Sequence, residues 1–323
     1  MIQPTVSIII PAYNVATYMG ATLESVFAQT RRDFEVIVIN DGSHDVQELE
    51  LVLEPFRKDI IYVTQAQLGA SSARNTGISL ARGKYLAFLD GDDIWMPEYL
   101  ETQIKFLEGN CCQMVYCDAL FIGDEEFIGK SFMQLAPSYG PVTFESLVSF
   151  KCNIILSGTL VLRECVIAAG CFDPDVRRSM DYILWLRLLR NGVRIKYQQK
   201  PLLYYRVRTS GLSGDALSTT IRDMEALDLV SRKFELSIKE KQLVKNKITE
   251  IKAETQLLIG KELLLDGKFS KSRQAILSAY QYKKSAFLWI VVLALGFMPR
   301  FVAFGYRSLR ILKKRISRID FIS

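Results

Sequence analysis

Apolar positions in the first half of the chain alternate between two periods. Residues 6–10, 34–39, 60–64 and 84–89 are short continuous apolar runs rich in β-branched and aromatic side chains, the pattern of strands buried on both faces. Between them, Met19, Leu23, Val26 and Phe27 fall on one helical face, and so do Leu49, Val52, Leu53 and Phe56. Residues 70–81 read as a third helix, ended by Gly83. Strand–helix–strand alternation predicts an α/β fold, a doubly wound and mostly parallel sheet flanked by helices. Further strands are expected at 159–162, 193–197 and 202–207, and an amphipathic helix at 181–190. From 219 to 282 the pattern is wholly helical and highly charged. Within it, 260–280 resembles a helix–turn–helix broken at Asp266-Gly267, about half a tetratricopeptide unit, which needs a partner surface to bury its apolar face. The chain thus divides into three regions: a catalytic-type domain at 1–215, a helical extension at 216–283, and an apolar segment with a basic tail at 284–323.

In such sheets ligands bind beyond the carboxyl ends of the strands, and three of these strand ends carry polar residues. Pro11-Ala12-Tyr13-Asn14 succeeds the first strand, Asn40-Asp41-Gly42-Ser43 the second and Asp90-Gly91-Asp92-Asp93 the fourth. A dinucleotide fingerprint is excluded, because 11–20 contains one glycine where three are needed. The Gly77…Gly83-Lys84 stretch fails as a P-loop, since Tyr85 stands where Ser or Thr is required. The acidic run suits Mg²⁺ or Mn²⁺, which take oxygen ligands and share them with substrate phosphates. Asp90 and Asp92, two apart at a strand end, can face the same side, and Gly91 would admit a close approach of phosphate to backbone. A solvated acidic turn has the same composition, and the run alone leaves both readings open.

Composition narrows the classes. The 323 residues are 49% hydrophobic and 24% charged, which excludes a disordered chain. The net charge of +6 comes from the tail. Seven basic residues (Arg300, Arg307, Arg310, Lys313, Lys314, Arg315 and Arg318) and one acid, Asp320, lie from 300 onward, and the rest balances at 34 of each sign. The excess therefore points to an anionic surface met by the tail, with no nucleic-acid groove in the body. The six cysteines contain no Cys-x-x-Cys pair and His44 is the sole histidine, so a structural zinc is not expected and free thiols are. No secretory signal pattern opens the sequence.

Four segments in order, 6–14 (VSIIIPAYN), Asp41-Gly42-Ser43, Ala73-Arg74-Asn75-Thr76-Gly77 and Leu89-Asp90-Gly91-Asp92-Asp93, resemble the ordered signature of family 2 glycosyltransferases, over roughly the first 210 residues. The resemblance implies a GT-A fold, a nucleoside-diphosphate-sugar donor (a UDP-sugar first of all), a divalent metal and inversion at the anomeric carbon. It implies that Pro11 and Tyr13 line the base pocket, that Asp41 accepts from a base N–H, and that Arg74 lies near the nucleotide. Asp90 and Asp92 correspond to the carboxylate pair of metal and ribose, with Asp93 beside them as a third expected metal ligand. Bland alternatives stand next to each: Pro11 as a strand end, Tyr13 as packing, Asp41-Gly42 as a turn, Arg74 as a surface cation. The family's Glu-Asp pair before a Leu-Trp-Leu-Arg core corresponds to Met180-Asp181 before 184–187, which makes Asp181 the expected base. Met180 and Ile183 depart from the family's acids there, and a helix-capping Asp is the alternative. Tyr204-Tyr205-Arg206 matches a further family pattern, with Arg206 toward the donor and Arg208 where a histidine often stands.

Residues 285–298 are uncharged and apolar but shorter than the ~20 residues that span a bilayer. Basic flanks on both sides favour an interfacial helix or hairpin at the cytoplasmic face of the membrane, peripheral or monotopic, over a crossing; a buried core helix is the alternative. Deleting from Lys283 onward is expected to release the chain from membranes and leave the fold intact. The acceptor expected is a saccharide or lipid-linked saccharide. Rival classes are a nucleotidyltransferase, which would usually need a glycine-rich loop after the first strand, and an inactive membrane-bound scaffold.

Overall fold

Eight strands make one sheet: β1 (Val6–Ala12), β2 (Phe34–Asn40), β3 (Ile60–Thr64), β4 (Tyr85–Phe88), β5 (Ile94–Trp95), β6 (Met114–Ile122), β7 (Thr159–Leu162) and β8 (Ile195–Arg206). The computed structural model describes residues 3–124, 127–208 and 216–319, the last ten of these and 216–218 by backbone alone. The strand order is β3-β2-β1-β4-β7-β6-β8-β5. β1 pairs in parallel with β2 and β4, β2 with β3, and β6 with β8, while β7 and β5 run against their neighbours. The sheet is thus mixed but mostly parallel, flanked by α1 (Ala16–Phe27), α2 (Val46–Leu53), α3 (Ala70–Leu80) and α4 (Tyr99–Gly109), then the short α5 (Phe132–Leu135), α6 (Phe144–Val148) and α7 (Arg163–Ala168), and α8 (Met180–Arg190).

The expected apolar runs form β1 to β4, and they are buried as a parallel sheet requires: Ile8, Ile9, Ile10, Ile37, Val38 and Phe88 expose nothing. Met19, Leu23 and Val26 of α1 pack into the same core. Pro11 is tolerated inside β1 because the pairing with β4 ends at Ile9–Phe88 while that with β2 runs on to Ala12–Asn40, so the missing N–H costs no ladder bond. Gly77 is needed for contact: a Cβ there would lie 2.5 Å from Ile9 Cγ2, holding α3 off β1.

One expectation is corrected, and one strand was not expected. The strands expected at 193–197 and 202–207 are one strand, β8, whose register against β6 shifts on both sides of Asp118. Asp118 is also why β6 itself is hidden in the pattern. Its carboxylate breaks the apolar run, yet accepts the N–H groups of Ala119 (2.8 Å) and Met133 (3.0 Å) at that bulge.

The chain divides into two compact units, 1–214 and 215–323; the boundary expected at 215 falls at 209–215, outside the described residues. The second unit is helical: α9 (Ala216–Lys233), α10 (Ile238–Leu265), α11 (Phe269–Tyr282), α12 (Ala286–Phe297) and α13 (Pro299–Ile319). A capping box of Ser237 and Glu240 opens α10. Gly267, at φ +76°, turns the chain into α11, and Gly260 lets the two helices close up, since a Cβ there would meet Ile276 at 2.6 Å. The surface that this pair needs comes from α12: Leu288, Val292 and Leu295 form a core with Leu264, Ile276 and Ala279. One face of the apolar segment is therefore a core face, and residues beyond Lys283 are not a detachable appendage. Deleting them would bare Ile276 and Ala279, contrary to the expectation of an undisturbed fold. Among the described residues no helix is long and apolar enough to cross a membrane.

Candidate active site

The loops after β1 and β2 are locked to each other. Asn14, at φ +53°, accepts the His44 N–H at 2.9 Å and donates its own N–H to Ser43 Oγ at 3.2 Å. Ser43 N–H in turn donates to Asn40 Oδ1 at 2.9 Å. Strained left-handed backbone of this kind in a non-glycine residue concentrates at functional sites. The lock leaves Tyr13 37% exposed, its ring edge-on to His44 with centroids 5.9 Å apart. Tyr13 is therefore not a core packing residue.

Asp41 is buried, and its carboxylate gathers the loop that opens α3. Oδ1 accepts from Gln65 Nε2 (2.8 Å) and the Leu68 N–H (2.9 Å), and Oδ2 from the Gly69 N–H (2.8 Å). A carboxylate offers about four acceptor positions, so three are committed to this loop. α3 then presents Arg74, which is 5% exposed and so not a surface cation. Its Nη2 donates to Asp90 Oδ1 at 2.5 Å and its Nη1 to Met180 Sδ at 3.4 Å, and the guanidinium lies 5.6 Å from the Phe172 ring centre.

The same helix draws in the segment before α8. Ser71 Oγ donates to the Val176 carbonyl (3.1 Å), Asn75 Nδ2 to the Phe172 carbonyl (2.7 Å), and Asn75 Oδ1 accepts the Phe172 N–H (2.9 Å). These clamps bring Met180, and with it Asp181 in the first turn of α8, to the end of the sheet where Asp90 lies. Ser179, left-handed at φ +55°, starts that helix abruptly. Asp181 is only partly exposed. Burial pushes its carboxyl above the usual range, and the negative charge of Asp90 adds to this; the Tyr182 N–H and the positive charge of Arg74 oppose it.

The acidic run divides in two. Asp90 remains half-exposed, with its N–H held by Ser157 Oγ at 3.1 Å. Asp92 pairs through Oδ2 with Arg208 Nε at 2.8 Å; burial, then the charge of Asp90, raises its carboxyl, against the pull of Arg208. Asp93 instead turns inward. It is 1% exposed, its Oδ1 accepts the Arg206 N–H at 2.8 Å and its carbonyl accepts Thr22 Oγ at 2.9 Å. Burial and the charges of Asp90 and Asp92 hold its carboxyl well above the usual range. The expectation of three metal-facing carboxylates is thus corrected, since Asp93 is buried and holds the Arg206 N–H while Asp92 meets Arg208. Gly91 is corrected as well. It is buried, and a Cβ would meet Met19 Cε at 2.9 Å and Val15 Cγ2 at 3.0 Å. Its smallness serves packing against α1 rather than access for phosphate.

Arg206 Nε donates to the Asp92 carbonyl at 2.9 Å, and its guanidinium lies 4.8 Å from the Tyr18 ring centre, with that of Arg208 5.6 Å away on the same ring. Sequence reasoning missed Ser157, which anchors Asp90 from the 3₁₀ turn Leu156–Gly158, and Tyr18, the platform under both arginines. A lone Ser and a helical Tyr carry no spacing signal that would have singled them out. Chemically, the site offers the Asp90 and Asp92 carboxylates, three arginines around them and the raised carboxyl of Asp181 nearby. Among the described residues no cluster of three or more His, Cys, Asp or Glu is ready-made for a metal. Two hard carboxylate ligands, each ion-paired through one oxygen, fit a divalent cation that completes its shell with substrate phosphates.

The model for "Glycosyl transferase family 2" matches residues 7–163. An uncharacterized glycosyltransferase of Rickettsia typhi, RT0329, is 32% identical over 70% of this chain and 70% of its own length. The UDP-Glc:alpha-D-GlcNAc-diphosphoundecaprenol beta-1,3-glucosyltransferase WfaP of Escherichia coli is 29% identical over 71% of this chain and 87% of its own. Among solved structures, the mannosyltransferase PcManGT of Pyrobaculum calidifontis, in complex with GDP-Man and Mn²⁺, superposes with a TM-score of 0.61 at 17% identity, covering 95% of this chain and 85% of that one, a likeness of GT-A fold. With the motif loops gathered at one end of a mostly parallel sheet, the matched family model and a relative of this identity and coverage, the chain belongs to glycosyl transferase family 2 and is a glycosyltransferase.

Proposed function

We propose that the protein transfers one sugar, with inversion, from a nucleoside-diphosphate-sugar to a saccharide or lipid-linked acceptor in the synthesis of a cell-surface polysaccharide or glycolipid. The observation that carries this reading is Arg74, which reaches Asp90 with one nitrogen and Met180, next to Asp181, with another. It ties the donor-binding carboxylates to the expected base. A UDP-sugar donor and a diphosphate-linked lipid acceptor are supported by the activity for which the Escherichia coli relative is named.

In this reading Pro11, Tyr13 and Asp41 border the base, with the remaining acceptor position of Asp41 facing its N–H. Asp90 and Asp92 hold Mg²⁺ or Mn²⁺, which when bound neutralises charge on the departing diphosphate. Arg74 orients Asp90 through the bond from its Nη2. Arg206 and Arg208 supply cations beside Asp92, and Arg208 exchanges its carboxylate partner for diphosphate oxygen when the donor arrives. Asp181 accepts the proton of the acceptor hydroxyl as that oxygen bonds to the anomeric carbon and the bond from that carbon to the diphosphate oxygen breaks. Burial raises the basicity of Asp181, which suits a base working near neutral pH. The membrane contact is peripheral or monotopic, at the cytoplasmic face.

Met180 is compatible with activity rather than a mark of its loss. Its thioether meets Arg74 without competing for the charge, leaving the guanidinium to Asp90. Incubation of purified protein with a nucleotide-sugar panel and Mn²⁺ tests the reading. Release of nucleoside diphosphate supports it; pyrophosphate formed from a triphosphate would indicate a nucleotidyltransferase, and neither product would indicate a scaffold.

A further inference from the structure

The face of α12 opposite its core contacts is covered by nothing among the described residues. Phe287, Ile290 and Phe297 are 70%, 61% and 83% exposed, and Phe301 and Phe304, on α13, are 77% and 72% exposed. These five large side chains recur at three- to seven-residue steps on consecutive helices. They do so while Leu288, Val292 and Leu295 are held inward, so the segment cannot rotate to hide them. The chemistry around this face is one-sided. From Gly267 to Ile319 there are 53 residues with twelve Lys or Arg and no Asp or Glu. Lys283 and Lys284 stand exposed before α12 and Arg300 after it. An apolar ridge in a stretch of sequence that carries cations and no acid, with Lys283, Lys284 and Arg300 exposed on either side of α12, matches an anionic lipid surface, where hydrocarbon lies beneath negatively charged head groups. A protein partner would need a surface both apolar and strongly acidic.

We infer that the ridge formed by Phe287, Ile290, Phe297, Phe301 and Phe304 is the membrane-inserted surface, lying in the plane of an anionic leaflet. This inference rests on the proposed membrane attachment and adds which residues enter lipid and how far. With one face of α12 committed to the core of its own unit, only the opposite face enters, so the contact is monotopic and shallow. Basic residues on either side stay at head-group level and draw the ridge to the surface.

Tryptophan offers a direct test, because Trp95 and Trp185 are each 2% exposed whereas Trp289, next to the ridge, is 44% exposed. The full chain is mixed with phosphatidylcholine vesicles with and without phosphatidylglycerol, some carrying brominated acyl chains, and followed by flotation and fluorescence. The expected result is flotation with anionic vesicles, quenching by bromines near the head groups that disappears in Trp289→Phe, and weaker binding in high salt. Phe297→Ser with Phe301→Ser should lower the partition coefficient at least tenfold, about 1.4 kcal/mol, with an unchanged circular dichroism spectrum, since both rings are exposed. Flotation without quenching, and with normal partition of the double variant, would preserve membrane attachment but overturn the ridge. No flotation would overturn both. Self-association without lipid, abolished by the double variant while vesicle binding persists, would assign the ridge to a second copy of the chain and also overturn the inference.

Discussion

Asp41→Ala is the substitution whose cost is best defined by the structure, and it separates two roles of one side chain. The carboxylate accepts the Leu68 and Gly69 N–H groups and the Gln65 amide. Hydrogen bonds to a charged acceptor contribute about 1.5–3 kcal/mol each, and buried donors left without a partner lose that contribution in full. Gln65 can turn to water, whereas the two backbone groups are fixed at the start of α3, so the loss is about 3–5 kcal/mol. For a domain of roughly 200 residues that corresponds to a melting point lowered by roughly 10 °C. Asn at this position keeps one acceptor oxygen but sets an NH₂ group against a backbone N–H, and should fall between the two. The assay is thermal unfolding by circular dichroism together with donor titration by calorimetry. Both stability and donor affinity should fall in Asp41→Ala, because loosening the start of α3 also displaces Arg74. A variant that melts within about 2 °C of the unsubstituted chain would refute the reasoning, leaving Asp41 as a base-contacting residue and nothing more.

Asp181→Asn should leave donor affinity near normal while transfer falls by about 10²–10⁴-fold, the usual contribution of a positioned base; transfer at an undiminished rate would remove Asp181 from that role. Because its carboxyl is raised in the folded chain and works ionised, kcat should fall as pH drops through a value above the ordinary carboxylate range. The same sign means that folding favours the protonated form, so the Asn variant should be no less stable at neutral pH, as a melting curve would show. Asp92→Ala, or chelation of the metal, should weaken donor binding roughly tenfold or more, about 1.4 kcal/mol, and calorimetry showing equal affinity would exclude Asp92 from the metal site. At the opposite end of the sheet, burial disfavours the charge on Glu35, but hydrogen bonds from Ser7 and Arg82 outweigh it and hold the carboxyl below its usual 4.5. Its contribution is complete above that value and fades as pH falls through the lowered one. Glu35→Gln should therefore cost about 1–3 kcal/mol near pH 7, with the gap narrowing below about pH 4 in urea titrations.

Much of the first unit could be read from the chain because its signals are local. Continuous β-branched runs suit only strands buried on both faces, and the loops beyond them carry their chemistry as short motifs. That is why β1 to β4, Asp41, Arg74 and the acidic run are legible without coordinates. β6 is not, because the charge of Asp118 is offset by two N–H groups at a bulge that exists only once β8 pairs there. Which acids face out is not legible either. Asp92 and Asp93 are equivalent as letters, and only the folded chain pairs one with Arg208 and buries the other beneath the Arg206 N–H. The apolar segment after Lys283 divides the same way. Its composition determined that it avoids water, but only packing against Ile276 and Ala279 decided which face is core and which is left for another surface. Sequence by itself determined the elements and the inventory of reactive groups, since these come from propensity and periodicity over a few residues. Tertiary structure decided orientation and pairing, because a charge or an apolar face is defined by neighbours distant in the chain, as Arg74 is by Asp90 and Met180.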